Sequence, residues 1–157
     1  VYLEVYYSFL QSDLNFEPAD GKLRGLTLGK ISLLKDEKIV VSEAWKSETV
    51  VSDSLELDQA KDIIDRVGIV APVGDYTCRL VIQDLVKSEN SDTLNWPISL
   101  TTNKAGTPHL SGIQLASSIR RAGEEEKSSP FFKNSLIVEP NPALLYSFEH
   151  PALYFYT

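Results

Sequence analysis

The 157 residues contain no methionine, one cysteine and two histidines, and each shortage removes a class of chemistry. A lone cysteine, Cys78, closes no disulfide within the chain. It falls among apolar residues with no activating base beside it, so it reads as a small core residue rather than a nucleophile. His109 follows Pro108 and His150 precedes Pro151. With no H-E-x-x-H and no cysteine pair, neither histidine points to zinc, and both read as turn or surface residues. The G-x-S-x-G elbow is missing too. Gly21, Gly25 and Gly29, spaced by four, lie in or just before a strand rather than ahead of a helix, which argues against a phosphate loop. No apolar run approaches the roughly 18 residues of a membrane-spanning helix, and none has the layout of an export signal.

Basic residues are also short, 15 against 22 acidic ones for a net charge of −7. Nucleic acids and anionic membranes both need a positive face, so neither is an expected partner. Acidic pairs such as Asp62 with Asp65 arise by chance at this content; a hydrolase would need two carboxylates converging in a cleft. The loop Lys87–Asp92 offers oxygen ligands but lacks the D-x-[DN]-x-[DN]-G spacing of a calcium loop. We therefore expect no enzyme, no cofactor and no metal. The chain starts at Val1 in mid-strand, which reads as a piece of something longer.

What is present is alternation. In Ala71–Val86 the turn residues Pro72 and Gly74 precede a strand in which Tyr76, Cys78, Leu80 and Ile82 alternate with Thr77, Arg79 and Gln83. Val1–Leu10 alternates as well, with Val1, Leu3, Val5, Tyr7 and Phe9 on one side. Leu23–Leu34 changes parity across Gly29, from Leu26 and Leu28 to Ile31 and Leu33, which predicts a β-bulge at that glycine. Ile39–Val51 carries Trp45. In Ser52–Gly68 the spacing of Leu57, Ala60, Ile64 and Val67 predicts one short helix, capped by Ser54, with Asp58 in its first turn and Gly68 at its end. Leu94, Trp96, Ile98 and Leu100 form a strand placed at a sheet edge by Pro97. Leu110–Ile119 and Leu136–Glu139 are further strands, and Arg120–Pro130 with its three glutamates is a solvated, mobile loop.

Strand signals about 8 to 15 residues apart predict an all-β immunoglobulin-like sandwich of seven to nine mostly antiparallel strands with one short helix. The domain spans 1–142, and 143–157 is a terminal strand that can open a following domain. Trp45, Tyr76, Cys78 and Trp96 are its expected structural residues. Tyr2 and Tyr6, outward on the first strand with Glu4 between them, are the candidate contact surface for protein or sugar.

Gly74-Asp75-Tyr76-Thr77-Cys78 with Trp45 upstream resembles the Tyr-x-Cys and core-Trp pattern of immunoglobulin-like domains, and Pro72-x-Gly74-x-Tyr76 resembles the turn of fibronectin-type sandwiches. This implies a corner hydrogen bond from the Tyr76 hydroxyl. A longer resemblance runs through V-Y-L-E-V-Y-Y-S-F-L, V-G-D-Y-T-C-R-L-V-I-Q-D-L, L-S-G-I-Q-L-A-S-S-I, S-P-F-F-K-N-S-L-I-V-E-P-N-P and A-L-Y-F-Y. These segments look like the N-terminal β region of bacterial proteins named for a G-W-x-T-D motif, which is itself absent from these residues. The resemblance implies an exported, periplasmic or envelope-associated multidomain protein of unassigned activity. Its expected partners are the other domains of the same protein or envelope proteins. A non-catalytic interaction or spacer module is the function expected, with a carbohydrate-binding or adhesive domain as the rival and a hydrolase as the third reading.

Overall fold

The computed structural model describes residues 1–52, 57, 61–102, 110–146 and 152–157. The architecture is all-β and sandwich-like, built from antiparallel sheets. In chain order the strands are β1 Tyr2–Leu10, β2 Glu17–Ala19, β3 Lys22–Lys35, β4 Lys38–Val51, β5 Asp62–Val70 and β6 Gly74–Asp84. They continue with β7 Ser91–Leu100, β8 Gln114–Arg121, β9 Phe132–Lys133, β10 Leu136–Pro140 and β11 Tyr154–Tyr156. Eight of these are five residues or longer, within the expected seven to nine; β2, β9 and β11 are short additions. The helical segments among the described residues are 3-10 turns at Gln11–Asp13 and Glu124–Ser128, and no helix there is long and apolar enough to cross a membrane.

The chain packs as two compact units, the first comprising Val1–Glu4, Phe9–Ile63 and Val67–Thr102, the second Val5–Ser8, Ile64–Arg66 and Asn103–Thr157. In the first unit β3 pairs with β2, β4 and β6, and β6 pairs with β7. One face of this sheet is apolar: Ile31 and Leu33 on β3 are buried, and on β6 Tyr76, Cys78 and Leu80 are buried while Thr77 and Arg79 between them are exposed. Pro97 lies on β7, the end strand of the sheet order, where its missing N–H is harmless. The second unit holds the sheet β11-β8-β10-β9, buried around Ala116, Ile137 and Val138. Residues 143–157 contribute β11, which pairs with β8.

Two-residue loops with both central φ angles positive close three hairpins: Asp20-Gly21 (φ 51°, 73°), Asp36-Glu37 (50°, 62°) and Asn134-Ser135 (48°, 69°). This is the primed turn whose twist matches the flanking strands.

Three expectations are corrected. The register of β3 against β4 and β6 runs straight through Gly29, and the bulge falls between Leu33 and Leu34 instead, where Val40 is the extra residue. The parity change has another cause. Gly25, Thr27 and Gly29 occupy the same face as Ile31 and Leu33, and the glycines leave room for aromatic rings to supply the missing apolar surface. A Cβ on Gly29 would stand 2.3 Å from the Trp45 ring, and one on Gly25 would stand 3.0 Å from Phe16. Leu26 and Leu28 remain half-buried on the other face.

The helix expected over Ser52–Gly68 is overturned in its second half: Asp62–Val70 is strand β5, because its amides find a partner in β1. Ser54, Asp58 and Ala60 lie outside the described residues, as do His109 and His150. The Arg120–Pro130 segment is exposed as expected but begins on β8 and is wound rather than loose. Arg120 grips Glu126 through both guanidinium nitrogens, at 2.8 and 2.5 Å, and Glu126 also accepts from the Gly123 N–H at 2.9 Å. Arg120 first and then that N–H hold the Glu126 carboxyl down at about 2.

Candidate contact surface

Tyr2 owes its position to the pairing of β1 with β5. Val1 and Ala71 exchange both main-chain bonds, at 2.7 and 2.9 Å, and at the other end the Gln11 N–H reaches the Lys61 carbonyl at 2.9 Å. The strands are therefore antiparallel. Gly68 on β5 has no side chain, and the Tyr2 ring lies in the space: a Cβ there would stand 2.3 Å from the Tyr2 hydroxyl. The hydroxyl donates to Glu4 Oε1 at 3.2 Å. With 57% of its surface in water, and Val70 at 70%, Tyr2 is an aromatic plate lying on the strand and open outward.

Tyr6 has a different fate, in the second unit. Its hydroxyl donates to Gln114 Oε1 at 3.0 Å and accepts from Lys133 Nζ at 2.5 Å. Lys133 Nζ stands 5.3 Å from the Tyr6 ring centroid and 5.6 Å from that of Tyr156, within cation–π range of both. The primed turn after Lys133 aims Asn134 Nδ2 at the Tyr156 hydroxyl, 2.5 Å away, and the register of β11 on β8 sets Tyr156 opposite Gln114. Tyr6 is thus half-buried and engaged, so only Tyr2 of the expected pair is an open aromatic face.

No family model matches this chain, and no curated protein or solved structure does either.

The other singled-out residues, Trp45, Tyr76, Cys78 and Trp96, lie on β4, β6 and β7. The Tyr76 hydroxyl donates to the Pro72 carbonyl at 3.2 Å, four residues upstream, the bond of a tyrosine corner. Cys78 is fully buried, and loss of water pushes its thiol up to about 11, so little thiolate exists at neutral pH. Trp45 is half-buried on β4 over Gly29, and Trp96 is half-buried on β7 opposite Cys78. Asp65 accepts from the Tyr7 hydroxyl at 2.9 Å and from the Arg66 N–H at 2.7 Å.

One residue escaped the sequence reading altogether. Asp84, at the end of β6 and 2% exposed, accepts from the Asn15 N–H and Nδ2 (2.7 and 2.8 Å), the Val86 and Lys87 N–H groups (2.8 and 3.1 Å) and Asn90 Nδ2 (3.4 Å). Burial works to raise its pKa, but the donors on Asn15, Lys87 and Val86 outweigh it and hold the carboxyl below the usual range. The oxygen-rich loop after it is organised by this carboxylate. The Asp84 carboxylate closes an Asx turn onto the Val86 and Lys87 N–H groups, a geometry to which the Asp itself is the sole sequence pointer.

Proposed function

We propose that this chain is a non-catalytic interaction module of an exported bacterial multidomain protein. The observation that carries this reading is the open Tyr2 plate with Val1 and Val70 beside it at the end of the β1–β5 pair. Tyrosine supplies large contact area with few rotamers to freeze, and flanking aliphatic surface suits a protein partner. The side chains with the most chemical potential, Cys78, Asp65 and Asp84, are occupied in packing or internal bonds. Export and further domains rest on the resemblance of the five segments quoted above. The partner is then another domain of the same protein or an envelope protein. Titration calorimetry of this chain against the remainder of the full-length protein tests it. Tyr2→Ser and Val70→Ser should each weaken binding by about tenfold, as truncating a contact residue does, with unchanged circular dichroism. No heat of binding, or equal affinity in the variants, removes the reading.

A second reading is a carbohydrate-binding or adhesive domain. It is favoured by the Glu4 carboxylate, which sits at the rim of the Tyr2 ring where a sugar hydroxyl could donate. A glycan array with no signal at high protein concentration would end it.

A further inference from the structure

Of the outer strands of the first unit's sheet, β2 is three residues long, and the two long ones, β4 and β7, are guarded differently. β7 carries Pro97, whereas β4 has no proline, and among the described residues it pairs with β3 alone. Its single irregularity, at Val40, lies next to the hairpin. From Val41 to Val51 the register is unbroken, and Ser42, Ala44, Lys46, Glu48 and Val50 are exposed. A long, regular, open edge is a template for another strand.

Which main-chain groups point outward follows from β3. The Leu26 carbonyl accepts from the Leu85 N–H at 2.8 Å, on the β6 side, so the even-numbered residues of β3 bond toward β6 and the odd-numbered ones toward β4. The Ser42 hydroxyl reaching the Ile31 carbonyl at 3.0 Å agrees with this. The partners of those odd residues, Val41, Glu43, Trp45, Ser47 and Thr49, therefore turn their main chain inward. Ser42, Ala44, Lys46, Glu48 and Val50 turn theirs outward.

We propose that a second copy of this chain pairs antiparallel with β4 about a two-fold axis at Ser47. Outward residues can bond only to outward residues, so the axis must pass through a residue rather than between two. At Ser47, each Lys46 faces Glu48 of the other copy and each Ala44 faces Val50, covering a valine that is 50% exposed. An axis at Lys46 or Glu48 sets like charges opposite each other. Axes at Ala44, Trp45 or Thr49 leave both charges facing uncharged residues. Ser47 is the position in this stretch where the edge is complementary to itself. The contact is isologous and closes at two copies.

Sedimentation equilibrium over a dilution series at low salt is the test. The mass should rise from the 17.5 kDa of the chain to twice that value. Lys46→Glu alone and Glu48→Lys alone each set like charges together at both contacts and should raise the dissociation constant by about tenfold or more. Equal mixing of the two single variants restores opposite charges at both contacts, and so does the double swap within one chain; both should recover dimer. Glu48 also lies 4.0 Å from Arg24 of its own chain, so circular dichroism and thermal melts establish that each variant is folded. A wild-type mass that stays at one copy, a mass that climbs past two, or single variants that dimerise as well as wild type would overturn the proposal.

Discussion

Asp84 is a carboxylate removed from water and surrounded by amide donors, so its charge and its place in the fold depend on each other. Replacing it with Asn swaps an acceptor for a group that is half donor and leaves buried N–H groups of Asn15, Val86 or Lys87 unmatched; the cost should be about 1–3 kcal/mol. The pH dependence follows from the direction of its shift. The folded pKa is below the unfolded one, so this stabilisation is complete above about pH 4, the unfolded value, and is lost as pH falls through the folded pKa. Urea midpoints measured from pH 6 downward should fall less steeply for Asp84→Asn than for wild type; parallel curves would show that the carboxylate is not the source. Gly29 gives a second residue-level test. Gly29→Ala drives a methyl into the Trp45 ring and should cost about 1–3 kcal/mol as overpacking, read as a lowered denaturation midpoint with Trp45 fluorescence shifted.

Among the elements, the hairpin between β3 and β4 carries avoidable strain. Asp36 and Glu37 both adopt positive φ, where Asn-Gly is the preferred pair. Asp36→Asn with Glu37→Gly should raise stability by about 1 kcal/mol; a lowered melting temperature would mean that the two acidic side chains make contacts worth more than the relieved backbone. The elements legible in the sequence were those whose alternation is local and complete, such as β6, where Tyr76, Cys78 and Leu80 are buried and Thr77 and Arg79 are not. The failures share a cause, a distant partner. β5 reads with helical spacing because Ile64 and Val67 fit a 3.6 period, yet the strand opposite it lies at the far end of the sequence and sets its conformation. Gly29 reads as a bulge because sequence alone does not reveal that Trp45, across the hairpin, supplies its missing side chain. The open Tyr2 and the engaged Tyr6 were indistinguishable by pattern, since what separates them is Gln114 and Lys133, far along the chain.

For the molecule as a whole, protection should follow strand position. β3 and β6 have hydrogen-bonded neighbours on both sides, whereas β9 and β11 are short strands at the ends of their sheet. Amide hydrogen exchange should be slowest in Thr27–Leu34 and Thr77–Ile82 and fastest in Phe132–Lys133 and Tyr154–Tyr156; equal protection of β6 and β11 would contradict this ordering. The pairing of β1 with β5 also has a consequence in time. Val1 and Ala71, 70 positions apart, share their main-chain bonds, so β1 is synthesised well before β5, the strand it pairs with among the described residues. During that interval Val5 and Tyr7, buried in the folded chain, are surface without cover. A nascent chain arrested before β5 emerges exposes them to any chaperone that binds extended apolar segments, and closing this long loop costs more chain entropy than closing a two-residue hairpin.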